Sequence, residues 1–331
     1  MKALCRIPLA TIFLLIGLFL VSCNDTGHTP EPAAKPQNTW CAEVPVVDTL
    51  REAHKEDTLV QTIDPTDRQW IDSLLALPRL PKSFLNRVDE ISRYFMGVPF
   101  DSTGPTGEGH FGTVDTAPIY NIHRFDCLTY IEHVLALAHS SNTDEFISQL
   151  QRMRYKDGKI DYLHRNHFFV IDWLANNKDI ATLIAPKEAV AVTRTISKAS
   201  FFSRKGLAVQ IPDTNVLIQA WSVEGFTAEL TAQSIDPGIY IIAFIKKRLR
   251  SVIANHVGFA VITPHSCLLR DANKTRRRVS ETNLITYLDH YAPLLEGVLL
   301  VCINHSAAEL TKTPLVRRDE APDSAGGKAV Y

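Results

Sequence analysis

The 331-residue chain has almost no net charge, few cysteines, no long apolar run and no internal repeat. Each shortage excludes something. Lysine and arginine (35) and aspartate and glutamate (36) cancel to a formal charge of -1. No field of one sign therefore covers the chain, and no nucleic-acid partner is expected. The six cysteines include no C-x-x-C pair, which argues against a zinc ribbon. They are also too sparse for a small disulfide scaffold. No H-E-x-x-H is found, so neither a metal nor another cofactor is expected. The longest apolar stretch, Ile7 to Leu20, falls short of the roughly 20 residues that span a bilayer comfortably. What the chain does have is an apolar content of 45%, enough for a real core.

Lys2 and Arg6, the apolar run and then Leu20-Val21-Ser22-Cys23 describe a secretory signal. The four residues at its end resemble a bacterial lipobox. The resemblance implies cleavage before Cys23, lipidation of Cys23 and a bacterial envelope protein held to the membrane by a lipid anchor. Residues 1–22 are thus expected to be removed, and the polar, proline-rich stretch 23–39 reads as a flexible tether. Residues 40–310 hold the folded part, and 311–331 form a charged tail. Cys41, Cys127, Cys267 and Cys302 remain. In an oxidising compartment a surviving thiol needs a reason, and catalysis is one. Cys302, inside Leu299-Leu300-Val301-Cys302-Ile303, reads as a plain buried hydrophobe.

Helical spacing marks Lys82 to Phe95, closed by Gly97 and Pro99, then Cys127 to Ala138 and Thr143 to Met153. His167 to Asn176 fits helix or strand. The second half turns β-prone: Ala189 to Ile196, Gly238 to Ile245, His256 to Thr263, Cys267 to Arg270 and Val298 to Ile303. Helices first and strands second predict an α+β fold with helices packed on an antiparallel sheet. Lys246, Lys247, Arg248 and Arg250 read as a solvated hairpin loop.

Two segments carry chemistry. In Arg124-Phe125-Asp126-Cys127-Leu128-Thr129-Tyr130-Ile131-Glu132, Asp126 is suited to cap the helix that follows, which puts Cys127 at the first helical position. Free N–H groups there favour a thiolate. In Asn255-His256-Val257-Gly258-Phe259-Ala260-Val261-Ile262, His256 and Gly258 share one face of a strand, and the glycine leaves room beside the imidazole. A cysteine nucleophile needs such a base to take its proton and return it to a leaving amine. If the turn after this strand is centred between Pro264 and His265, Ile262 faces Cys267. Asp271 and Asn273 then share the face of His256, and either could orient the ring.

Together these segments resemble the NlpC-type branch of the papain-like cysteine peptidases, and within it a bacterial lipoprotein family described as N-acetylmuramoyl-L-alanine amidase-like. Val134-Leu135-Ala136-Leu137-Ala138, Arg154 to Ile160, Arg165-Asn166-His167-Phe168 and Asp172-Trp173 extend the similarity over roughly Leu74 to Asn304. It implies a papain-like fold and hydrolysis of the amide between N-acetylmuramic acid and L-alanine in peptidoglycan fragments (muramyl peptides). Cys127 would be the nucleophile and His256 its base. Asp271 would be the third member, where the family commonly shows His-Ala-Ser and this chain has Asp271-Ala272-Asn273. Arg165, Asn166 and His167, with Arg154 and Tyr155, would stand on the substrate side, where arginine suits muropeptide carboxylates. Two alternatives stay open: an endopeptidase cutting between D-glutamate and the diamino acid, and a surface lipoprotein that binds wall fragments without cutting them.

Overall fold

The computed structural model describes residues 63–102 and 119–304. The signal, Cys23, the tether, most of the loop after Asp101 and the charged tail lie outside the described residues. Four helices come first: α1 (Pro65–Leu75), α2 (Phe84–Tyr94), α3 (Cys127–Ala138) and α4 (Thr143–Arg154). A π-helical turn, Phe169–Trp173, runs into the short α5 (Leu174–Asn176). There follow β1 (Ala181–Ile184), β2 (Ala189–Ile196), α6 (Lys198–Ser203), β3 (Thr214–Trp221), α7 (Val223–Thr231) and β4 (Gly238–Lys246). The chain continues through β5 (His256–Thr263), β6 (Ser266–Asn273), β7 (Arg278–Asn283), α8 (Leu284–Tyr291) and β8 (Leu295–Ile303). Among the described residues no helix is long and apolar enough to cross a membrane.

The strands form one eight-stranded antiparallel sheet in the order β2-β3-β8-β4-β5-β6-β7, with β1 also paired to β8. Chain order and sheet order disagree because β8 enters the middle. It is buried along almost its whole length, as is β4 beside it. Such strands read as unbroken apolar runs because both of their faces are covered. On one face Ile239, Ile241, Ala243 and Phe259 pack with Val88 and Ile91 of α2 and Ile131 and Leu135 of α3. On the other, Ile242, Phe244, Ala260 and Leu269 pack with Phe226 and Leu230 of α7 and Leu284 and Leu288 of α8. The expectation of helices followed by strands is thus too simple: α6, α7 and α8 are interleaved with the strands, and α7 and α8 cover the face that the early helices leave open.

Local signals account for the boundaries nearest the chemistry. α2 ends where Gly97 takes a positive φ of 89°, a conformation glycine adopts without steric cost. The β5–β6 hairpin has Ile262 opposite Cys267, the register expected from its turn. Cys302 is buried in β8, but it is disulfide-bonded rather than a plain free thiol. Cys127 and Cys267 are free.

Candidate active site

The tip of α3 is built by a reciprocal cap. Asp126 Oδ1 accepts the backbone N–H groups of Leu128 (2.9 Å) and Thr129 (2.8 Å). Thr129 Oγ1 accepts in return from the N–H of Asp126 at 2.9 Å. This capping box fixes Cys127 as the first helical residue. It also spends the cap on the two N–H groups beyond Cys127. The Cys127 N–H itself makes no hydrogen bond among the described residues. The helix body is buried on the sheet face of Phe259, whose ring meets Tyr130 edge-on at 5.6 Å. Only the tip is left to reach the start of β5.

There Cys127 meets His256. The imidazole lies close enough to Cys127 for the two to interact. Its Nε2 lies 2.6 Å from Asp271 Oδ2, which leaves Nδ1 for the sulfur. Phe244, opposite His256 in the β4–β5 register, lies nearly parallel to the ring at 5.9 Å. Burial works against a charged His256, but the hydrogen bond to Asp271 and the interactions with Cys127, together with the charge of Asp271, outweigh it and raise the imidazole to about 9. His256 is therefore held as an imidazolium at neutral pH.

Asp271 is wholly buried and holds three partners. Its Oδ2 accepts from His256 and from Asn273 Nδ2 at 2.8 Å, and its Oδ1 accepts from Arg276 Nη2 at 2.6 Å. Arg276 also donates through Nε to Ser280 Oγ on β7. Burial pushes the Asp271 carboxyl up, but the bonds and charge of His256, then Asn273 and Arg276, bring it below the ordinary carboxylate range. Of the two orienting groups the sequence left open, Asp271 touches the imidazole and Asn273 holds Asp271. Gly258 makes this possible: a Cβ there would lie 2.9 Å from Asp271 Cβ and 2.8 Å from Leu269 Cδ1.

Of the five residues expected on the substrate side, Arg154, Tyr155, Arg165 and Asn166 are buried and His167 is half-buried. Arg154 is buried, with Nε and Nη2 on Glu132 Oε2 at 2.8 and 2.7 Å and Nη1 on the Ile119 carbonyl. The Arg154 guanidinium is thus enclosed in the core by a carboxylate of α3. Tyr155 is likewise buried and bridges through its backbone to Arg165. Burial raises the Glu132 carboxyl, while the guanidinium groups of Arg154 and Arg165 oppose the rise, which places Arg165 beside the same carboxylate. Asn166 Nδ2 donates to the Met153 carbonyl at 2.9 Å, and its Oδ1 accepts from Asn176. His167 sits among Tyr162, Phe201 and Phe202; burial there lowers its imidazole to about 3, so it stays neutral.

Sequence reasoning missed Arg276, Ser280, Phe244 and Tyr287. Tyr287 on α8 packs on Phe244 at 4.9 Å. Burial, then the charges of Asp271 and Tyr291, push its hydroxyl up, and Cys127 adds to the rise. Arg276 had a local signal, standing in a basic turn five residues from Asp271. The rings had none, because only sheet register and the return of α8 bring them to His256. Among the described residues no group of three or more His, Cys, Asp and Glu side chains could hold a metal ion.

A family model described as N-acetylmuramoyl-L-alanine amidase-like matches residues 90–294, more than half of the chain. No curated protein matches. Among solved structures, a Legionella pneumophila protein is 24% identical with a TM-score of 0.62, over 72% of this chain and 95% of its own. An N-acetylmuramoyl-L-alanine amidase from Bacteroides uniformis is similar in two crystal structures. One is 20% identical with a TM-score of 0.53, over 68% of this chain and 98% of its own. The other is 21% identical with a TM-score of 0.51, over 68% and 100%. At these identities the solved structures show a shared fold.

Proposed function

Because the chain belongs to the N-acetylmuramoyl-L-alanine amidase-like family, we propose that it is a cysteine-dependent amidohydrolase that cleaves the bond between N-acetylmuramic acid and L-alanine in peptidoglycan fragments. The observation that carries the cysteine mechanism is that His256, hydrogen-bonded to Asp271, interacts with Cys127 at the tip of a helix. We assign the fold to the NlpC-type branch of the papain-like peptidases on the same ground, a cysteine on a helix with its histidine and acid on two neighbouring strands.

In the proposed reaction the Cys127 thiolate attacks the lactyl carbonyl carbon, and the carbonyl π pair moves to oxygen. The Cys127 N–H, left free by the Asp126 cap, is aimed to receive that oxyanion. When the C–N bond breaks, the nitrogen takes the proton from His256 Nδ1 and leaves as the amine of L-alanine. The muramoyl group stays on sulfur as a thioester. Water, deprotonated by the now neutral His256, then attacks the thioester and releases the N-acetylmuramic acid carboxyl group, which gives its proton to solvent, with the thiolate and imidazolium restored. Asp271 fixes the ring and balances its charge throughout. We further place the enzyme in a bacterial envelope, lipidated on Cys23 after cleavage of residues 1–22, with residues 40–310 as its catalytic part.

The test is incubation of the protein with a defined muramyl peptide and measurement of product masses, wild type beside Cys127→Ala. A free L-alanyl peptide and a sugar without alanine are expected from the wild type. Loss of at least about four orders of magnitude in rate is expected from the variant. A variant that cleaved as well as the wild type would overturn the nucleophile assignment. Products cut within the peptide would move the bond.

A further inference from the structure

The turn joining β6 to β7, with the first residue of β7, reads Lys274-Thr275-Arg276-Arg277-Arg278. Arg276 is committed to Asp271 and Ser280. Lys274, Arg277 and Arg278 are exposed and make no ion pair among the described residues. The neighbouring acids are engaged elsewhere, Glu281 and Asp89 on Arg270 and Asp101 on Arg124. Arg277 has a φ of 60°, in the left-handed region where a turn would ordinarily place glycine or asparagine.

This turn is tied to the nucleophile through the backbone. Phe100 N–H donates to the Arg277 carbonyl at 3.0 Å, and Val279 N–H donates to the Val98 carbonyl at 2.8 Å. The same strip bonds Phe125 in both directions: Phe125 N–H to the Pro99 carbonyl at 3.0 Å, and Asp101 N–H to the Phe125 carbonyl at 2.8 Å. Phe125 stands two residues before Cys127. Arg278 lies opposite Asn273 in the β6–β7 register, and opposed residues of an antiparallel pair project from the same face. Arg278 therefore shares the face from which Asn273 reaches Asp271. Arg276 of the same turn reaches Asp271, which in turn holds His256, so the turn adjoins the acid end of the candidate triad.

We propose that Lys274, Arg277 and Arg278 form an anion-binding rim that takes the carboxylates of the peptide leaving group and so selects acidic stem peptides. The proposal rests on the amidase reading and adds to it the charge that the substrate's peptide carries. The rim is cationic in a chain of net charge -1, so its charge belongs to this surface and not to the protein as a whole.

The experiment measures binding of two probes to full-length Cys127→Ala protein: a muramyl peptide with free carboxylates, and the same peptide with its carboxylates amidated. A second protein carries Arg277→Glu and Arg278→Glu in addition. The parent is expected to prefer the free acid by about tenfold, and the charge-reversed protein to lose that preference. Thiol-probe labelling of Cys127 in the otherwise wild-type chain carrying the two reversals should stay at the wild-type rate, which shows the site intact. Equal preference before and after reversal overturns the rim. Binding of the free acid by both proteins alike, with cleavage by wild type retained, overturns the rim and leaves the amidase standing. Failure of either peptide to bind the parent while wild type still cleaves overturns the rim alone, and failure of wild type to cleave overturns the amidase reading. Conversely, tighter binding of anionic lipid vesicles that the reversals abolish, with no effect on peptide, assigns the cations to a membrane surface and overturns the peptide proposal.

Discussion

Two buried carboxylates, each clasped by arginine, stand within a few residues of α3 or its partners, and they differ in one respect. Glu132 is closed in by Arg154 with Arg165 beside it. Asp271 is held by Arg276 and Asn273 but gives an oxygen to His256, which reaches Cys127. The first cluster pairs a carboxylate with guanidinium groups, and it joins α3 to α4. The second contains an imidazole and a thiol, groups whose charge can change during a reaction. The imidazole is what sets the second cluster apart from the first.

The comparison is broken most forcefully at Asp271. Asp271→Asn should lower the rate of muramyl-peptide cleavage about a thousandfold, because the amide cannot balance the imidazolium. The alkaline limb of Cys127 labelling should move down from the His256 value of about 9 toward that of an ordinary histidine. The sign for stability follows from the same shift. His256 is raised in the folded protein, so its contribution is complete below the ordinary histidine value near 6.5 and is lost as pH rises through about 9. That contribution is about 3 kcal/mol. The depressed Asp271 describes the same pair from the other side, lost only as pH falls through its lowered value. The difference in Tm between wild type and Asp271→Asn should therefore shrink from pH 6 to pH 10.

Arg154→Met should cost about 3–5 kcal/mol in urea unfolding, since Glu132 is left as an uncompensated buried charge. Replacing both partners with apolar residues should recover most of that loss. Neither change should move the pH profile of Cys127 labelling. A shifted profile would tie the two clusters together and end the distinction. Gly258→Ala comes next, at about 1–3 kcal/mol of stability, with a labelling profile displaced because Asp271 is pushed from the ring. Arg276→Gln should have the smallest effect, raising the alkaline limb by about one pH unit, because Asp271 then gives its charge to His256 alone. Arg276→Lys should restore the wild-type limb if charge is what matters.

Much of this was legible in the chain. The cap at Asp126, the helix it starts and the face shared by His256, Gly258 and Asp271 are short-range consequences of residue type and period. So is the β5–β6 register, because one turn sets it. The edge strand β7 was not legible: only Val279 and Ser280 are buried in Arg-Val-Ser-Glu-Thr-Asn, so its pattern never alternates clearly. β3 was hidden in the same way, exposed along most of its first half. The motif Arg154-Tyr155 pointed toward a ligand, yet its side chains are buried. An arginine's partner is not written beside it, and Glu132 lies on another helix.

The sequence by itself determined which atoms could do chemistry here: a thiol at a helix start, an imidazole beside a glycine on a strand and a carboxylate one hairpin away. Each of these follows from contacts within a few residues or across a single turn. Only the tertiary structure decided which arginine is spent on the core and which on the acid, and that α8 brings Tyr287 to the Phe244 ring beside His256. Those outcomes depend on which distant charges and rings meet once β8 has threaded the middle of the sheet, and no local pattern encodes such a meeting.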